Sequence, residues 1–133
     1  MALMRYLGID YGTKRVGVAL SDEGGSMGFP HAILPNDERL LHTLVALIQK
    51  EKVGTVVIGD SRTLAGEKNP VAADAEAFAK MLSKEADVSC VFESEVFTSI
   101  EARRGPDGTY LGGTEAIDAS AAALILTSYL SRL

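Results

Sequence analysis

The chain is poor in sulfur and nitrogen metal ligands. Cys90 is the only cysteine and there are two histidines. No internal disulfide can form, and no Cys/His spacing of a zinc site is present. No apolar run is long enough to span a bilayer, and the first residues lack the basic-then-apolar layout of a signal peptide. These absences point to a cytoplasmic protein with no membrane partner. There is no internal repeat and no sign of a second domain, so residues 1–133 read as a single domain around one core. An excess of positive charge is also missing. The formal net charge of −5 argues against a protein whose whole surface clings to nucleic acid. It leaves room for a local basic patch, and carboxylates clustered to hold cations would themselves pull the count negative.

What the chain does have is apolar residues, 47% of the total, in short runs with clear periods. Two of these runs flank a glycine-containing turn between Tyr6 and Asp22 and predict a β-hairpin. Leu7 and Ile9 alternate with Gly8 and Asp10, which places a carboxylate at the tip of an otherwise apolar strand. Asp is depleted in strands because its side chain competes for backbone hydrogen bonds. Asp10 therefore either caps the turn or points into a site. Gly8, Gly12 and Gly17, on or beside the strands, would let a ligand or another backbone come close.

The rest of the chain reads in order. Residues 23–26 form a turn, and Phe29 to Leu34 a third strand, with Pro30 suggesting a sheet edge. Asn36 is expected to cap a helix that buries Leu40, Leu41, Leu44, Leu47 and Ile48. Val53 to Gly59 reads as a buried parallel strand. It ends at Asp60, which is a site candidate by position or a simple turn residue. Asn69-Pro70 starts a helix with a stripe of Val71, Ala75, Phe78 and Leu82. A strand at Val88 to Phe92 follows, with Glu93, Ser94 and Glu95 at its end. Thr98 to Glu101 has capping-box spacing, so a helix is expected near Ser99. A glycine-rich loop over 103–113 has Arg103 and Arg104 at its entrance. Thr114 is expected to cap the last helix, where Asp118 shares a face with Ala122, Ile125 and Tyr129. Asp118 is either a first-turn residue favoured by the helix dipole or part of a site.

This order gives an α/β fold, a mixed sheet flanked by helices. Asp10, Glu95 and Asp118, from two strand ends and a helix start, could converge on such a sheet. Three converging carboxylates repel unless cations lie between them. Oxygen ligands without His or Cys suit Mg²⁺ or Mn²⁺. Two such ions about 4 Å apart can drive phosphodiester cleavage.

Gly8 through Asp22 also resembles, almost without a gap, the opening motif G-I-D-x-G-x-K-R-x-G-V-A-x-S-D of the YqgF/RuvX family, a compact branch of the ribonuclease-H-like nucleases. The family's D-x-x-A-A-x-x-I-L motif aligns with Asp118 through Leu126, with the Asp and both alanines present. Its D-E-R-L-T-T-x-x-A motif aligns with Ser94 through Ala102. There the Glu is kept as Glu95, but Ser94 replaces the Asp and Val96 the Arg. Gly59-Asp60-Ser61 stands where the family has G-L-P, and a glycine-rich loop replaces its basic one. The resemblance implies a ribonuclease-H-like mixed β-sheet flanked by α-helices. It also implies a hydrolase that needs Mg²⁺ or Mn²⁺ and cleaves precursor 16S rRNA in ribosome biogenesis, or alternatively branched DNA at Holliday junctions. Asp10, Glu95 and Asp118 would be both catalytic and metal-binding. Lys14, Arg15, Arg103 and Arg104 would contact nucleic acid, which Ser94 and Val96 no longer help to position. A monomer or weak homodimer is expected.

Two other readings stand beside this one. Asp-x-Gly-Thr in a hairpin also opens actin-like ATPases and sugar kinases, but a single domain of this length lacks their second lobe. A nucleic-acid-binding module that has lost catalysis would also fit the altered middle motif.

Overall fold

The computed structural model describes residues 4–60, 70–94 and 119–133. Glu95, Arg103, Arg104 and Asp118 lie outside these residues, as do the Asn69 cap, the helix expected near Ser99, the glycine-rich loop and the Thr114 cap. Strands β1 (Arg5–Tyr11), β2 (Arg15–Ser21) and β3 (Gly28–Pro35) come first, followed by helix α1 (Leu40–Glu51) and β4 (Val53–Asp60). Helix α2 (Pro70–Ala86), β5 (Ser89–Ser94) and helix α3 (Ala119–Leu130) complete the described chain. The five strands form one sheet in the order β3-β2-β1-β4-β5. β1 and β2 pair antiparallel, as do β2 and β3, while β4 pairs parallel with both β1 and β5. The sheet is therefore mixed, with β1 at its centre.

Alternation along β1 sends Leu7 and Ile9 to one face, where they meet Val16, Val18, Val56 and Ile58. Leu40, Leu44 and Ile48 of α1 and Ala75, Phe78 and Leu82 of α2 cover that face, the stripes predicted from helical spacing. Ala19 and Val57 face the other side, under Ala122, Ile125 and Leu126 of α3. Gly8 makes this second contact close. A Cβ there would lie 2.8 Å from the Ala122 carbonyl oxygen and 2.9 Å from the Leu126 Cβ. Pro30 sits on edge strand β3 at a register shift, where Ala32 partners Val18 and Pro30 partners Ala19. His31 is the extra residue, so a proline that cannot donate to the ladder falls at a bulge.

The cap at Asn36 is a correction. Helix α1 starts at Leu40, and Arg39 holds the cap position without a side-chain cap bond. Asp37 takes over locally, its Oδ1 accepting the Arg39 N–H at 2.9 Å. Asn36 is bound elsewhere. Its own N–H continues the β2–β3 ladder by donating to the Lys14 carbonyl at 2.9 Å. That bond draws it away from the helix and toward the hairpin turn.

Candidate active site

Asp10 is the last residue but one of the central strand. It is 5% exposed and lies opposite Gly17 of β2. It shares the face of Gly8, the side on which α3 packs. A carboxylate is thus held in the sheet interior, with a residue lacking a side chain across from it. The parallel pairing places the carboxyl ends of three strands along one edge of the sheet. Ile9 partners Ile58, and Asp60 partners Ser94. Asp10, Asp60 and the residue that precedes Glu95 therefore come to the same edge, where open α/β sheets bind ligands.

Residues 12–14 connect β1 to β2 directly after this edge. Thr13 and Lys14 are exposed and Arg15 is half-buried. Two hydrogen bonds from Asn36 hold this turn. The backbone bond to Lys14 is one, and the side-chain Nδ2 donates to the Gly12 carbonyl at 2.7 Å. The sequence motif thus joins a buried acid to an exposed basic turn.

The motif's far end is structural. The buried Ser21 hydroxyl accepts the Tyr6 N–H at 2.8 Å and donates to the Asp22 carbonyl at 2.8 Å. The Asp22 carboxylate accepts the Ser26 hydroxyl, the Ser26 N–H and the Met27 N–H. These bonds, led by the Ser26 hydroxyl, lower its pKa from the ordinary 3.8. Cys90 is half-buried, and burial pushes its thiol up to about 11, so it is not an activated nucleophile.

Glu93 is the buried acid that sequence reasoning passed over. Its side chain is 2% exposed. The Ser128 hydroxyl donates to its Oε2 at 2.8 Å, and the Arg132 guanidinium donates to its Oε1. It pairs in register with Gly59. The alternation Val91-Phe92-Glu93 was the signal available, because it puts Glu93 on the side of Val91, which packs in the α3 cluster.

Among the described residues no group of three His, Cys, Asp or Glu side chains gathers at one place. Of the acids expected at the site, the structure describes Asp10, and of the basic residues Lys14 and Arg15.

Known proteins resemble this chain in sequence and in fold. The relative from Sulfurihydrogenibium sp. (strain YO3AOP1), provisionally named a pre-16S rRNA nuclease, is 36% identical over 98% of this chain and 92% of its own. One of the same name from Nitratidesulfovibrio vulgaris is 33% identical over 96% of this chain and 94% of its own. In solved structures, Thermus thermophilus RuvC in complex with a Holliday junction substrate superposes with a TM-score of 0.60 at 13% identity. It covers 97% of this chain and 95% of its own. Fowlpox virus resolvase with Holliday junction DNA gives 0.60 at 15% identity, covering 97% and 98%. At these identities the likeness establishes the fold, a ribonuclease-H-like sheet flanked by helices. The family model described as "RuvX: Holliday junction resolvase" matches residues 4–132. That span takes in the hairpin with Asp10, the parallel strands and the last helix, and the chain belongs to this family.

Proposed function

We propose that the protein is a nuclease that hydrolyses phosphodiester bonds in structured RNA, with precursor 16S rRNA as its substrate. The observation that carries this reading is Asp10. It is a carboxylate 5% exposed at the carboxyl end of the central strand, with the exposed Lys14 four residues on. A carboxylate placed there is of use where a cation offsets its charge. The relatives' names supply the RNA substrate.

Glu95 and Asp118 complete the acid set in this proposal. Glu95 directly follows the sheet edge that Asp10 shares with Ser94. Asp118 comes four positions before Ala122 in the sequence, and the Ala122 carbonyl lies against Gly8, two residues before Asp10 on the same face. This all-oxygen donor set fits Mg²⁺ or Mn²⁺. Two such ions, when bound, would activate water and offset charge on the leaving oxygen. Asp10 holds its carboxylate rigidly in the strand. Lys14 and Arg15 orient the phosphate backbone, and Arg103 and Arg104 extend that contact.

A second substrate, branched DNA, is favoured by the description of the family model. End-labelled precursor rRNA and a synthetic four-way junction, each with Mg²⁺, Mn²⁺ or EDTA, separate the two. Cleavage of the RNA that stops with EDTA, and falls about 10²–10⁴-fold in Asp10→Asn, is the expected result. Junction cleavage alone would move the substrate to DNA. Binding without cleavage of either would leave a recognition module.

A further inference from the structure

Asn36 stands outside the acid set and outside the motif, yet it holds the turn that carries Lys14. Its backbone N–H and its Nδ2 reach two different carbonyls, those of Lys14 and Gly12, at 2.9 and 2.7 Å. These flank Thr13, so one residue ties down both ends of the turn tip. Without the Nδ2 bond, the Gly12 carbonyl would lose that partner in a part-buried position. Gly12 is itself buried, while Thr13 and Lys14 are exposed. The clamp therefore fixes the base of the turn and leaves its tip open to solvent. The donor comes from the end of β3 and not from the hairpin itself, so the turn is braced from outside.

We infer that Asn36 is a positioning residue for substrate, holding the 12–14 turn so that Lys14 meets a backbone phosphate in a preset place. The inference rests on the nuclease reading above. Binding has to hold a long cationic side chain and its backbone in place, and a turn already braced spares part of the backbone share. Asn36 needs no contact with nucleic acid for this effect. It acts through Lys14, and its loss should matter only while Lys14 is present.

The test is a double-mutant cycle read by binding. Probes are a structured RNA and a four-way DNA junction, each with Ca²⁺ in place of Mg²⁺. The variants are Asn36→Asp, Asn36→Ser, Lys14→Ala and the combination of the last two. Asp is close in shape to Asn, but its ionised side chain only accepts, so it would face the Gly12 carbonyl without a donor. Asn36→Asp is expected to raise Kd about fivefold and to flatten its salt dependence toward that of Lys14→Ala. Because the new carboxylate itself repels phosphate, the cycle is closed with Asn36→Ser, and its combination with Lys14→Ala should bind no more weakly than Lys14→Ala alone. Asn36→Ser, which adds no charge, should shift Kd in the same direction. Thermal melting of every variant reports folding separately. If Asn36→Asp lowers the melting temperature but leaves Kd unchanged, the inference is overturned. It is equally overturned if the losses from Asn36→Ser and Lys14→Ala simply add. If Lys14→Ala binds as wild type, the basic-turn part of the nuclease reading fails, and the inference fails with it.

Discussion

Glu93 of β5 and Arg132, two residues beyond the end of α3, form an ion pair in which the acid is buried and the base is mostly exposed. Their side chains are 2% and 63% accessible. Ser128 binds the second carboxylate oxygen at 2.8 Å, so the two oxygens have separate donors on the helix and its end. The pair ties the last helix to the edge strand. Its energetics are asymmetric. Loss of Arg132 leaves a charged group in the sheet interior, whereas loss of both charges does not. Arg132→Ala is expected to cost about 1–2 kcal/mol, toward the low side for a charged hydrogen bond because the guanidinium is largely in water. Adding Glu93→Gln should recover part of that loss. Urea titration of the two single variants and the pair checks it, and simple additivity would show that the charges are not coupled.

Two glycines make opposite predictions. At Gly8, a Cβ would press on the Ala122 carbonyl and the Leu126 Cβ, both fixed by helix α3. Gly8→Ala should cost about 1–3 kcal/mol, because helix and sheet must separate to admit it. At Gly54, a Cβ would come even closer to a neighbour, 2.5 Å from the Met4 sulfur. Met4 is 61% exposed and its side chain can swing away. Gly54→Ala should fall within about 0.5 kcal/mol of wild type. Denaturation midpoints of the two variants check the contrast. A large loss at Gly54 would mean that Met4 is held more firmly than its exposure indicates.

The sequence displayed this fold because its signals are local. Alternation in β1 and β2, helical spacing in α1 and the β-branched run in β4 each lie within one element, and each was met. The cap at Asn36 was misread because an Asn shortly before an apolar helix looks the same whether its side chain turns to the helix or to the sheet. The winning bond, to Gly12, spans 24 positions in sequence. Glu93 was missed for a related reason. Its partners are 35 and 39 positions away, so nothing near it in the chain marks it as satisfied. Of the candidate site, Asp10 and the basic turn were legible because a single hairpin carries them. The register of β5 brings Ser94 to the same sheet edge, and that register is set by pairing across the sheet.

The loop between β2 and β3 should respond to acid. Asp22 has a folded pKa below its ordinary 3.8 because three donors from Ser26 and Met27 favour the ionised form. For a lowered pKa, the stabilisation is fully present above pH 3.8. It is lost as pH falls through the lower folded value. Asp22→Asn should therefore be less stable than wild type at neutral pH, and the gap should close as pH drops below that range. Urea midpoints of both proteins from neutral to strongly acidic pH measure this. A gap independent of pH would show that the loop is held by Asp22 geometry and not by its charge.

The proposed binding of a divalent ion at Asp10 can be tested without any nucleic acid. An ion that binds the folded state alone adds stability according to its concentration relative to Kd, about 2.7 kcal/mol at a hundredfold excess. Mn²⁺ should therefore raise the melting temperature of the wild-type protein. Asp10→Asn keeps the shape of the side chain while removing the charge, so the rise should be lost while the fold survives. Glu95→Gln and Asp118→Asn should each reduce the rise if they belong to the same set. An equal Mn²⁺ response in wild type and Asp10→Asn would place the ion elsewhere. Asp60, on the same sheet edge, would then be the first residue to substitute.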